Sequence, residues 1–153
     1  MTRFHRQRGA AAIEFGLLFL LFFTMFYALV SYGVAMMLQE GFQHAAEEGA
    51  RAAIAVDPLA YSSTDAYTNN GVIPRVRSTV GTSLWWLPSK AATHALGTNN
   101  GNVQVSLVNN QLIVKVIYSN YTSDPMLPML TLPVIGTIPK LPANLSGAAM
   151  LEL

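Results

Sequence analysis

One stretch governs what this chain can become. From Phe15 to Leu38 no residue is charged, and with Glu14 excepted the run reaches back to Ala10. A helix needs about 20 predominantly apolar residues to cross the ~30 Å hydrocarbon core of a bilayer. The 24 residues here are more than enough. They also outrun the ~7–15 apolar residues of a cleaved secretory signal. The other apolar stretch, Met126–Ile138, is short and broken by Pro128 and Pro133, so it does not read as a second span. The chain as a whole is 52% apolar and only 11% charged, with a mean hydropathy of +0.35. The single run accounts for much of that excess. The remainder of the 153 residues has room for one small domain.

Flanking charge sets the expected orientation. Arg3, Arg6 and Arg8 precede the run, whereas Glu40, Glu47, Glu48 and Arg51 follow it. Lys and Arg are retained on the cytoplasmic side. The N-terminus is therefore expected in the cytoplasm of a bacterial cell and the C-terminal domain outside the inner membrane. The net charge of +1 comes with no basic patch interleaved with aromatics, so no nucleic-acid partner is expected. Without cysteine, an exported domain depends on packing alone.

The expected organisation is a basic segment over 1–9, a transmembrane helix over 10–38, a helical stalk over 39–56 and a small α+β domain over 57–153. Residues Leu38–Val56 are rich in Ala, Gln and Glu, with no proline before Pro58, so the helix should continue beyond the membrane. Glu47 and Arg51 stand four apart in the favourable acidic-first order on a solvated face. Gly41, Ala45, Gly49 and Ala53 repeat every fourth position, after Gly33, and predict a face where another backbone approaches closely, either a neighbouring helix or the chain's own sheet.

Beyond the stalk, Asp57–Gly71 reads as a connector, from Pro58, the Ser-Ser-Thr-Asp cluster and Asn69-Asn70-Gly71. Val76, Val80, Leu84 and Leu87 repeat at helical spacing behind Pro74, predicting a short amphipathic helix over Pro74–Leu87. Adjacent Trp85 and Trp86 must point to different sides, one to the core and one to the surface. Val103, Val105 and Leu107, then Leu112, Val114, Val116 and Tyr118, alternate around Asn109-Asn110, a pair that tolerates the positive φ of tight hairpin turns. Two strands alone are marginal, so a third is expected from Ala148–Leu153. Asp124–Pro142, with five prolines, reads as an extended apolar loop over the sheet.

No catalytic or metal chemistry stands out. His5, His44 and His94 are scattered; His44 and Glu48 stand four apart on one helix, but two ligands make no metal site. There is no glycine-rich phosphate loop and no nucleophile elbow. Neither an enzymatic activity nor a cofactor is expected.

The informative junction is Arg6–Phe15, RQRGAAAIEF, where a basic tail ends at Gly9 and one carboxylate, Glu14, sits inside the apolar run. An ionisable side chain at the bilayer centre is unfavourable by at least ~2.5 kcal/mol, less near an interface. The helix dipole favours an acid at such a start. The segment resembles the cleavage junction of type IV prepilins, in which a membrane aspartyl peptidase cuts after glycine and the acid stands fifth in the mature chain. Counting from Ala10, Glu14 is fifth and Phe15 sixth. Farther on, Ala45, Ala46, Glu48, Gly49, Ala50 and Arg51 are similar to the Ala-Ala-Arg-Glu-Gly-Ala-Arg signature of TadE-like proteins, pseudopilins of tight-adherence (Flp) pilus systems. Glu47 departs from the arginine often found there. The resemblance implies a structural role as a minor pilin, with cleavage between Gly9 and Ala10 and an assembly role for Glu14 and Phe15. It further implies, as partners, a prepilin peptidase, other pilins and tight-adherence assembly proteins. The residues taken alone leave a second possibility open: a permanently anchored envelope protein whose exported domain binds a ligand or scaffolds another complex.

Overall fold

The computed structural model describes residues 7–132 and 136–153. Most of the expected basic leader, residues 1–6, lies outside the described residues. Helix α1 (Gln7–Ala53) runs unbroken for 47 residues, about 70 Å at 1.5 Å per residue. Ala, Leu and Glu sustain it through the stalk, and it dissolves into tight turns over Ile54–Val56, ahead of Pro58.

A three-stranded antiparallel sheet packs against the C-terminal part of α1, with its second strand in the middle. Its strands are β1 (Gln104–Val108), β2 (Gln111–Tyr118) and β5 (Leu145–Glu152). The β1–β2 turn is the expected one: Asn109 and Asn110 both take positive φ, 50° and 64°. Alternation decides which face is buried. Leu112, Val114, Val116 and Tyr118 are buried, and their register partners on β5 are Leu151, Ala149, Gly147 and Leu145. On β1, Val105 and Leu107 face Val114 and Leu112. The third strand is present and begins earlier than expected, at Leu145.

Helix α3 (Ile73–Ser83) also packs against α1 and touches β1, and its Val76 and Val80 are buried. The expected connector before it is largely helical. A short α2 (Thr64–Ala66) opens into a wide turn over Tyr67–Val72, where the Ile73 N–H reaches back five residues to Thr68 O. Such a widened turn accommodates Pro74, which lacks an N–H to give a regular helix. Gly71 is buried there because Tyr61 and Val56 fill the space a side chain would occupy. At its other end α3 stops at Ser83, short of the expected Leu87, because Leu84 leaves the helical region (φ −97°, ψ 20°) and Pro88 blocks continuation. Leu84 and Leu87 are buried all the same, through tight turns. Trp85 is exposed, and Trp86 packs on the core. Helix α4 (Ser89–Ala95) was not expected from the sequence; its inward face is only Ala91 and Ala95.

The proline-rich segment differs from a plain extended loop. It carries a small antiparallel pair, β3 (Leu130–Leu132) and β4 (Gly136–Ile138). The fold is thus α+β: a long apolar helix, a small domain of short helices and a three-stranded antiparallel sheet, with this two-stranded pair beside it.

Candidate functional site

The residues singled out in the sequence fall on two halves of α1 whose surroundings have nothing in common. Along the N-terminal half, apolar side chains are exposed all round the helix: Ile13, Phe22 and Leu29 expose 68%, 67% and 68% of their surface. Gly9, Ala10, Glu14 and Phe15 all lie on this bare helix. No described residue stands within 4 Å of the space where Gly9 or Gly16 would carry a side chain. Glu14 is the only charged side chain between Gly9 and Gln39. Phe15, Phe19, Phe23 and Tyr27 form a ladder along one face, with ring centroids 6.3, 6.0 and 6.1 Å apart.

The domain takes hold of the helix at Ser31, which is buried, followed by Ala35, Leu38 and Phe42. From there α1 is clamped. The small residues of the fourfold repeat lie against the chain's own elements. A side chain on Gly49 would meet Val80 Cγ2 at 2.7 Å and Val76 Cγ1 at 3.2 Å, both on α3, and one on Gly41 would meet Trp86 at 2.5 Å. Ala45 and Ala53 are fully buried. Beside them Phe42, Ala46 and Ala50 are buried as well, and β5 approaches so closely that a Cβ on Gly147 would lie 2.1 Å from Gln43 N and 2.2 Å from Phe42 C. Four of the signature residues, Ala45, Ala46, Gly49 and Ala50, therefore sit inside the packing between α1 and the domain.

Polar ties lock the clamp. Gln43 Nε2 donates to Glu47 at 3.0 Å, while Gln43 Oε1 accepts from the Ala148 N–H at 3.1 Å, capping the outer edge of β5. The signature acid Glu48 accepts from the Ser83 hydroxyl at the end of α3 and stands 3.8 Å from His44. Arg51 pairs with Glu47 at 3.6 Å on the exposed side. Glu47 is thus not idle despite its departure from the family pattern. Gln43, Ser83 and Gly147 were not anticipated from the sequence, whereas one of Trp85 and Trp86 was expected in the core and Trp86 is that one.

A second knot sits where the proline-rich segment begins. Asp124 lies 2.5 Å from Lys90 Nζ and 2.9 Å from His94 Nε2, and these hydrogen bonds hold its carboxyl below the usual carboxylate range. His94 stacks on Tyr118 at 4.6 Å, and the Tyr118 hydroxyl donates to Asp124 O at 2.7 Å. Burial, with Asp124 nearby, pushes Tyr118 up to about 12. These groups fasten a loop. A cleft of about 410 Å³ between Tyr61, Tyr67, Leu107 and Leu153 is lined by no charged side chain. Among the described residues no three His, Asp or Glu side chains gather into a metal site.

Residues 9–51 match the family model of TadE-like protein. The match begins at Gly9 on the bare half and ends at Arg51 on the clamped half. No curated protein and no solved structure matches the chain.

Proposed function

We propose that this chain, TadE-like over residues 9–51, is a membrane-anchored minor pilin that takes part in assembling a tight-adherence (Flp, type IV-like) pilus, with prepilin peptidase cleavage after Gly9. Its role is structural, and its partners are the peptidase, other pilins and the assembly proteins of that system. The observation that carries the reading is the division of α1. A bare apolar half opens at Gly9 with a lone Glu14, and a clamped half bears the family signature. The first half suits insertion in lipid, or among other helices after assembly, while the second holds the domain outside the inner membrane.

Cleavage would remove Arg3, Arg6 and Arg8, leaving six basic and eight acidic residues. It would also create a free amine at Ala10, with an unperturbed pKa of about 7.7–8.0. That amine lies one helical turn from Glu14 or meets Glu14 of a neighbouring subunit. In a low-dielectric setting a paired carboxylate is far easier to keep than a lone one. Pairing across subunits would set the register of neighbouring helices.

The test is mass analysis of the mature N-terminus together with pilus recovery, with the peptidase present and absent. Gly9→Leu should block processing, because a bulky side chain does not fit where the peptidase takes glycine. Glu14→Ala should leave cleavage largely intact yet impair incorporation. A wild-type chain that keeps Met1–Gly9 beside an active peptidase would overturn the pilin reading in favour of a permanent anchor.

A further inference from the structure

The proline-rich segment between Asp124 and Ala143 is rooted in the core by Met126, Met129 and Leu141, and the rest of it runs apart from the sheet's helix contact. Its neck is closed: the Tyr121 N–H donates to Ala143 O at 2.7 Å, the Asn120 N–H to Asn144 Oδ1 at 2.9 Å, and Asp124 is held by Lys90 and His94. From that neck the segment extends along α1 toward its bare half. The Tyr27 hydroxyl donates to Pro128 O, and the Tyr32 hydroxyl to Lys140 O at 3.0 Å. Tyr27 lies 13 residues beyond Glu14 and Tyr32 lies 18. At 1.5 Å per residue those are depths of about 20 and 27 Å. A hydrocarbon core is ~30 Å thick. If Glu14 marks one boundary, Pro128 lies inside the other and Lys140 lies at it.

The geometry points to a second membrane contact: the tip of this segment, around Leu127–Thr131 and Thr137–Ile138, dips from the outer interface into the outer leaflet beside α1. The chemistry suits that place. No residue from Met126 to Pro139 is charged, and Lys140 follows at headgroup height. Irregular backbone is excluded from lipid because its polar groups go unpaired. Here Pro125, Pro128 and Pro139 carry no N–H, β3 and β4 pair with each other, and two tyrosines take carbonyls at either flank. Tyr32 stands where interfacial aromatics belong. The occupant is lipid, since the apolar segment is continuous in height with the bare surface of the span itself.

The proposal rests on α1 being the membrane span, and the experiment separates the two. The chain has no cysteine, so single-cysteine variants of the full-length protein label cleanly. Thr131 and Thr137 are exposed and face each other across β3 and β4. Thr131→Cys and Thr137→Cys carry nitroxide labels, with Leu21→Cys in the span and Ser78→Cys on the exposed side of α3 as references. All are reconstituted in vesicles of phosphatidylethanolamine and phosphatidylglycerol. The expected result is frequent oxygen collision and loss of collision with a water-soluble nickel chelate at 131 and 137, as at 21, while 78 keeps nickel access. Nickel access at 131 and 137 with 21 protected overturns the second contact and spares the span. Nickel access at 21 as well overturns the span. Loss of collision with both reagents at 131 and 137 means cover by protein and also overturns the lipid assignment. So does nickel protection that appears only when other pilins are added.

Discussion

The two halves of α1 are one helix in two solvents. In the first, large side chains point outward in every direction and glycines touch nothing described. In the second, from Gln39 onward, large outward side chains give way to Ala, Gly, Gln and Glu, and Gly41 and Gly49 are where neighbours press closest. A bilayer asks only that a helix be apolar on all sides, so the bare half needs no particular shape. A domain of this size asks for close approach, because a small core gains stability only by packing tightly. Hence glycine means opposite things at the two ends of the helix. Through Gly33 it is a tolerated vacancy, and from Gly41 onward it is an occupied one.

That contrast is broken most forcefully at Gly147. A Cβ there would lie 2.1 Å from Gln43 N and 2.2 Å from Phe42 C, both backbone atoms that cannot rotate away. Gly147→Ala should therefore push β5 off α1 and destabilise the domain by more than the ~1–3 kcal/mol usual for overpacking. That is a large share of a total near 5–15 kcal/mol. The check is denaturant unfolding of the full chain in detergent, followed by the near-ultraviolet signal of Trp85 and Trp86. An unchanged midpoint would mean that the clamp is looser than its geometry.

Gly49→Ala should have a smaller effect in the same direction. Its Cβ meets Val80 Cγ2 at 2.7 Å and Val76 Cγ1 at 3.2 Å, side-chain atoms on stiff β-branched residues of α3. Overpacking of about 1–3 kcal/mol is partly offset by the ~1 kcal/mol that Ala gains over Gly within a helix. A net loss near 1 kcal/mol corresponds to a lowering of Tm by roughly 4–8 °C in a domain of 60–100 residues.

How far these features can be read from the sequence differs between the halves for the same reason. The bare half announces itself through composition alone, because lipid imposes one demand on every position from Phe15 onward. The β1–β2 hairpin is equally plain, since alternation and Asn109-Asn110 fix face and turn together. The clamp is legible only on one side. The repeat of Gly41, Ala45, Gly49 and Ala53 signals a close neighbour but not that the neighbours are Trp86, Val76 and Val80, which depends on long-range packing. Helix α4 stays hidden because alanines at 91 and 95 carry almost no periodic signal. The helical turn over Tyr67–Val72 is masked by Asn69-Asn70-Gly71, local turn chemistry overridden by the burial of Gly71 and Val72. The reach of the 125–142 segment to Tyr27 and Tyr32 spans about a hundred residues of chain, beyond any local pattern.

The neck of that segment supplies a pH-dependent comparison. Asp124 has its folded-state pKa lowered from 3.8 by the hydrogen bonds from Lys90 and His94. A carboxyl held lower in the folded state stabilises it fully above that ordinary value, and the contribution is lost as pH falls through the lowered one. Acid should thus loosen the neck below about pH 3.8. Asp124→Asn should remove this acid sensitivity while leaving the clamp intact. Amide exchange resolved by residue checks it: protection should fall at Tyr121 in acid before it falls at Val114, and the order should vanish in the variant.

Gly16→Ala is expected to do almost nothing, which makes it the sharpest control. No described residue lies within 4 Å of the new methyl, so there is no collision to relieve and no cavity to fill. The same substitution at Gly49 gains the same helix propensity, so that term is common to both variants and cancels when they are compared. What remains at position 49 is packing against α3, and at position 16 nothing. The domain's unfolding midpoint should stay within about 0.5 kcal/mol of wild type, the range of an ordinary surface change. Near-ultraviolet unfolding reports the domain through Trp85 and Trp86, both remote from position 16, so it registers only an effect carried along the helix. A midpoint raised as the helix stiffens would show that the span and the clamp melt as one cooperative unit, and the division at Ser31 would then mark a change of surroundings without a change of folding unit. An unmoved midpoint beside a lowered one for Gly49→Ala would mean that the same residue type, on the same helix, answers to lipid in one half and to its own domain in the other.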